Sequence, residues 1–457
     1  MKIKYLTIFS IIINLMLMGQ QNNLELLYQW SSDELVGSEE YDNTYNEVWG
    51  FVQNNREFAV IGSTEGTHIF DVTEPANSYL VTSISGAATG PDIIHRDYHT
   101  YNGYLYAVCD ENTYNGQTLI KSTLQIIDLS NLPNSAELIY DSNDIITRAH
   151  NIFIDEENAM MYVCVGEVNN QYNRLSILSL ENPENPVFLQ SYSSYGEIHD
   201  VYVKNNIAYL NAGWDSRFYI VDFSNINSPQ TLGVFDNYTD PGYNHSGWLT
   251  EDGNTYVFAD ENHGSKIKIC DVSNPSEIDE KATLLSDVDS TSIAHNLIIK
   301  NNLLYVSHYY DGLWIWDISD PENPTYVASY DTYPLENGNS YKGAWGVYPL
   351  LPSGNILVSD MQYGLFVFKE IESSIKINEY NNSTIFPNPC NDHLTIQINS
   401  DKQKIIQLYD MYGKIILSKK TNSHQIKIEL DQLINPGIYI LKVIGDETSD
   451  EHRIIKS

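Results

Sequence analysis

The 457 residues carry 60 acidic against 25 basic side chains, a formal charge of −35, and the imbalance is uneven. From Tyr5 to Thr384 there are fourteen basic and fifty-one acidic residues, a net of −37, whereas Ile385 to Ser457 holds nine of each. Nucleic acid and anionic lipid are poor partners for so acidic a surface, because both would be repelled, and no nucleic acid is expected as a partner; cations and cationic patches on other molecules are favoured.

Residues 1–20 read as a signal peptide, since Lys2 and Lys4 precede the short apolar run YLTIFSIIINLMLMG. No later segment approaches the roughly 18 consecutive apolar residues of a spanning helix, so no transmembrane segment is expected in the mature chain. No cysteine follows the apolar run to take a lipid. Cys109, Cys164, Cys270 and Cys390 are too few for a disulfide scaffold of this size, and each lies in or beside an apolar stretch, which predicts buried free thiols.

The next segment, LELLYQWS (Leu24 to Ser31), stands ahead of a repeat. Starts align at Trp49, His95, His150, His199, His245, His295 and Trp345, with successive gaps of 46, 55, 49, 46, 50 and 50 residues. A second marker follows in the same phase: HIFDVTEP, QIIDLSNLP, SILSLENP, YIVDFSNINSP, IKICDVSNP and WIWDISDP, each an apolar strand running into a turn. Each unit reads as four short strands, as in NLIIK, LLYVSHY, LWIWDI and TYVASY. Four strands in about 49 residues predict an all-β fold, a seven-bladed β-propeller over residues 24–371. The last copy stops after three strands at FVFKE, so pairing LELLYQWS into it would close the ring and leave no exposed edge.

The third strands LQIID, FYIVD, LWIWD and IKICD resemble LVIVD repeats. The order AHN, HSGWLTEDG, AHNLIIKNNLLYVSHYYDGLWIWDIS and GAWGVYPLLPSGNILVSD is similar to that of the exported bacterial choice-of-anchor B family, over roughly Leu24 to Glu370. That resemblance implies the fold and export but no assigned activity.

Residues 372–384 read as a polar linker. From 385 to 457 alternating strands with Asn-Pro turns predict a small C-terminal β-sandwich. It resembles the sorting domain of the type IX secretion system, with Pro387, Asn388, Pro389, Gly413, Gly437 and Tyr439 on the matching positions. The resemblance implies the type IX machinery as a partner, passage across the outer membrane, removal of this domain, and a final place on the cell surface or outside the cell.

His95, His150, His199, His245 and His295 share one repeat phase, at the start of the strand that lines a propeller channel. Acidic residues collect in the loops on the same side, among them Asp110, Glu111, Glu167, Asp260 and Glu261. One mouth of the channel should be rimmed with imidazole inside and carboxylate outside. Such a rim can bind calcium, a transition metal or a polar ligand; the alternative is that each imidazole is a structural peg bonded within the blades. Tyr309, Tyr310 and Trp214 are the aromatic candidates on that side. Asp71, Asp128, Asp222, Asp271 and Asp317 are expected to fix turns on the opposite face by bonding backbone amides. No nucleophile elbow, zinc-protease motif, phosphate loop, dinucleotide fingerprint or paired Cys-x-x-Cys occurs. The expected function is a non-catalytic binding or scaffold protein that recognises a cation, a glycan or a basic protein patch; the alternative is a metal-assisted hydrolase or lyase at the channel mouth.

Overall fold

The computed structural model describes residues 24–286, 288–370, 383–398, 402–409, 414–430, 436–444 and 449–456. The segment expected to be a signal peptide, Gly413, Asp287 and most of the expected linker lie outside them. The chain divides into two compact units, 1–371 and 372–457. Among the described residues no helix is long and apolar enough to cross a membrane.

The larger unit is built almost wholly of strands. Seven four-stranded antiparallel sheets occur among its described residues, five of them formed from consecutive strands and a sixth from strands interrupted only by a short inserted hairpin. The seventh combines Ala344–Tyr348, Asn355–Asp360 and Gly364–Glu370 with the N-terminal strand Leu24–Trp30, which pairs with the last of these from Leu24 opposite Glu370 to Trp30 opposite Leu365. The first strands of the sheets begin at Tyr45, Arg96, Ile146, Asp200, Asn244, Leu297 and Ala344; each lies against the next, and the last against the first.

Local chemistry sets these strands. Hairpin turns between first and second strands use Asn54–Asn55, Asn205–Asn206 and Asn301–Asn302, all with φ between 50° and 63°, the left-handed pair that matches strand twist and that asparagine tolerates. Third strands such as Phe218–Asp222 and Leu313–Asp317 are buried almost throughout, because neighbouring sheets cover both faces. That double burial is why they read as unbroken apolar runs. Outer strands such as Gln230–Phe235 bury little. At the end of five third strands an aspartate accepts a hydrogen bond from the amide two residues on: Thr73 to Asp71 at 3.1 Å, Ser130 to Asp128 at 2.8 Å, Ser224 to Asp222 at 2.8 Å, Ser273 to Asp271 at 3.0 Å and Ser319 to Asp317 at 2.8 Å. The four cysteines are free and buried.

One sheet departs from the simple repeat. An extra hairpin, Thr113–Asn115 with Thr118–Ile120, is inserted between its second and third strands. This insertion accounts for the long gap of 55 residues between His95 and His150.

The smaller unit has a three-stranded sheet and a four-stranded sheet that share one core of Leu394, Ile396, Ile406, Leu408, Leu441 and Ile454. Its first strand begins at Ser383, two residues inside the segment expected to be linker. Asn388 Oδ1 accepts the Ile455 amide at 2.9 Å and the Cys390 amide reaches the Ile455 carbonyl at 2.8 Å, so the Pro-Asn-Pro start is tied to the final strand. Gly437 and Tyr439 stand opposite Lys456 and Ile454.

Candidate functional site

The five phased histidines converge. With Trp345 they form a closed run of six rings whose neighbouring centroids are 4.1–5.2 Å apart: His95, His150, His199, His245, His295, Trp345 and back to His95. They floor a cavity of about 220 Å³ whose walls are Tyr41, Trp214, Tyr243, Glu261, Asn262, Tyr309 and Tyr341.

The Nδ1 atoms are largely spoken for. His199 donates to the His245 carbonyl at 3.2 Å and His295 to the Trp345 carbonyl at 2.5 Å, each across to the next sheet. His95 and His150 turn instead to carboxylates, Glu111 Oε1 at 2.5 Å and Asp110 Oδ2 at 2.9 Å. A hydrogen bond at Nδ1 fixes the ring and leaves Nε2 for a ligand. The peg and the site are therefore two ends of the same imidazoles.

Electrostatics divides them. Burial, with the neighbouring imidazoles adding to it, holds His199 and His245 well below the ordinary imidazole range, and burial takes His295 down to about 3. His150 goes the other way: burial would lower it, but the Asp110 hydrogen bond and the charges of Asp110 and Glu111 raise it to about 9. At neutral pH the ring thus holds one imidazolium paired with Asp110 and at least three neutral imidazoles.

Two groups of three have one donor atom each within 4.8 Å of the others: His95 with Asp110 and His150, and His245 with Glu261 and His295. Of the other expected acidic residues, Glu167 faces Lys121 at 3.4 Å and joins neither group. Asp260 is a correction: it is fully buried inside its own sheet, 2.7 Å from Lys268 Nζ, and takes further bonds from Tyr238 and the Gly242 amide. Tyr310 also lies off the cavity, packed on Tyr333. Trp49 is a second correction. Asn46, three residues earlier, holds the histidine place in the first sheet, and Trp49 belongs to a lower aromatic layer with His99, Phe153, Tyr202, Trp248 and Tyr348.

Between these layers lies a polar one that the repeat reading misses. Glu47, Asp97, Asn151, Asp200 and Asn296 line a small enclosed space beneath the histidines. Burial raises Asp97 and Asp200 to about 7, and burial with the charge of Asp97 pushes Glu47 well up. Their signal in the sequence is the polar residue one or two places after each histidine.

A carboxyl with a folded pKa near 7 and an unfolded one near 3.8 keeps its proton in the fold while the unfolded chain ionises. Stability therefore falls as pH rises from about 4 to about 7 and stays lowered above that. Asp97→Asn removes this penalty. In the presence of a chelator the variant should melt above the parent at pH 8, with the gain shrinking toward pH 4; a gain independent of pH, or a loss at pH 8, would contradict it.

Comparison with known proteins bears on this geometry. The LVIVD repeat matches residues 195–237, 255–285 and 292–332, and the secretion system C-terminal sorting domain matches 384–457. A β-propeller domain from Myceliophteria thermophila is similar at 11% identity and a TM-score of 0.50, covering 76% of this chain and 98% of that one, a likeness of fold alone. A protein from Lactobacillus plantarum is 12% identical at a TM-score of 0.49, covering 85% of this chain and all of that one. An endo-acting ulvan lyase of Formosa agariphila is 25% identical over 150 residues, 31% of this chain, and the chain spans about a quarter of that protein's length (27%). The chain carries LVIVD repeats in a β-propeller and ends in a secretion system C-terminal sorting domain, which makes it a type IX secreted protein of the cell surface or the extracellular space.

Proposed function

We propose that the chain is an exported, non-catalytic binding protein: a seven-bladed propeller over residues 24–371, closed by the strand Leu24–Trp30, whose channel mouth takes the end of a glycan. The observation that carries this is the floor of five imidazoles and Trp345 under walls of tyrosine and tryptophan. Aromatic faces stack on the apolar faces of sugars, and imidazoles and carboxylates bond hydroxyls. Trp214, 74% exposed at the rim and 4.8 Å from Tyr243, gives an open platform of this kind. A cavity of about 220 Å³ admits one sugar residue rather than a folded partner. Closure is supported by Ser353, in the turn between the first two strands of the last sheet, which donates from its amide and hydroxyl to Glu57 in the first at 2.7 and 2.5 Å.

Screening the mature protein on a glycan array should give binding that Trp214→Ala and Tyr243→Ala each weaken about tenfold or more, with no product formed. Absence of any bound glycan would overturn the reading. Turnover of a bound polysaccharide would instead favour a metal-assisted hydrolase or lyase. That second reading is favoured by the two imidazole and carboxylate groups at the mouth and, distantly, by the partial likeness to an ulvan lyase.

A further inference from the structure

The two histidine and carboxylate groups at the mouth are not equivalent. In the first, Asp110 is 2.9 Å from His150 Nδ1 and 3.8 Å from Arg148, so the protein's own cations already compensate its carboxylate. Among the described residues the second group has no lysine or arginine ion pair, although the charge of His150 reaches Glu261. His245 Nε2 and Glu261 Oε2 are 3.6 Å apart, close to the roughly 3.3 Å between two ligands of a tetrahedral ion with bonds of about 2.0–2.1 Å. His245 is 3% exposed, and its Nε2 has Glu261 Oε2 as its charged neighbour, beyond hydrogen-bond distance.

The other two members are held from behind. Tyr309 donates to Glu261 Oε1 at 2.6 Å, which leaves Oε2 turned to the cavity, and the Trp345 carbonyl holds His295 through Nδ1, which leaves Nε2. Outer bonds of this kind orient metal ligands and raise their basicity.

We propose that His245, Glu261 and His295 bind one divalent transition-metal ion of the zinc type, with an open coordination position facing the cavity. Two imidazoles and a carboxylate suit such an ion, whereas calcium asks for six to eight oxygens. The inference rests on the reading of the mouth as the binding site and gives the glycan's hydroxyl or carboxylate oxygens a cation to ligate.

Titration of the full-length protein with Co²⁺, followed by its visible absorption, and with Zn²⁺ by calorimetry, tests it. One equivalent per chain is expected. His295→Ala and Glu261→Gln should each abolish it, Tyr309→Phe should weaken it about tenfold, and Asp110→Asn should leave it unchanged. No stoichiometric binding by the parent protein overturns the proposal whatever the variants do. So does binding that survives both ligand substitutions in folded protein, or that falls with Asp110→Asn alone. Glycan binding that persists in EDTA without any metal uptake would sink the metal site and leave the glycan reading standing; loss of both would remove both.

Discussion

Deletion of residues 24–31 is expected to lower the melting temperature by about 10 °C or more. The strand Leu24–Trp30 completes the sheet of Gly364–Glu370 and also packs on the first sheet, where the Trp30 ring is 4.8 Å from Phe70, 5.2 Å from His68 and 5.6 Å from Tyr45. Its removal uncovers Phe366 and Phe368 and leaves the strand beneath them as an unpaired edge, open to other chains. Burial of each large apolar side chain contributes about 1.5–3 kcal/mol, so several are lost at once. Trp30→Ala isolates the packing from the pairing and should cost about 1.5–3 kcal/mol, since its ring is half-buried. A deletion variant with the parent's melting curve in a calorimeter would mean that the ring does not depend on this strand.

Lys268→Met is expected to be comparably damaging, at about 3–5 kcal/mol, because it strands a charge. Lys268 and Asp260 are both fully buried, with Nζ 2.7 Å from Oδ2 and the ammonium 5.2 Å from the Tyr238 ring. Tyr238 and the Gly242 amide satisfy the rest of the carboxylate at 3.1 and 2.9 Å. Taking the ammonium away leaves the carboxylate in an apolar sheet, whereas neutralising both partners removes the penalty. The double variant Lys268→Met with Asp260→Asn should therefore recover most of the loss in denaturant unfolding. A double variant as unstable as the single one would show that the pair matters for packing rather than charge.

Much of this arrangement is legible in the sequence. The four-strand unit, the third-strand apolar runs and the five turn aspartates follow from double burial and from side chains that bond the amide two residues on. The histidine phase marks the channel strand, but it does not say which residue faces inward. In the first unit Trp49 imitates Trp345 although it packs one layer lower, on His99 and Tyr348, in a strand whose register shifts between Tyr45 and Val48. Neighbouring carboxylates also separate. Asp260 is the last residue of its strand and is buried against Lys268, while Glu261, just beyond the strand end, turns to the mouth. Asp110 and Glu111 both reach histidines because they lie beyond the strand end at Cys109. Tyr41, Tyr243 and Tyr341 carry no repeat phase, so only the folded loops bring them to the cavity.

The most direct test of the mouth as a ligand site is anomalous diffraction at the zinc edge from crystals grown with Zn²⁺. A single strong peak in the channel mouth is expected, at about 2.0–2.2 Å from Nε2 of His245, Nε2 of His295 and a carboxylate oxygen of Glu261. No peak there, or zinc only on the outer acidic loops, would contradict it.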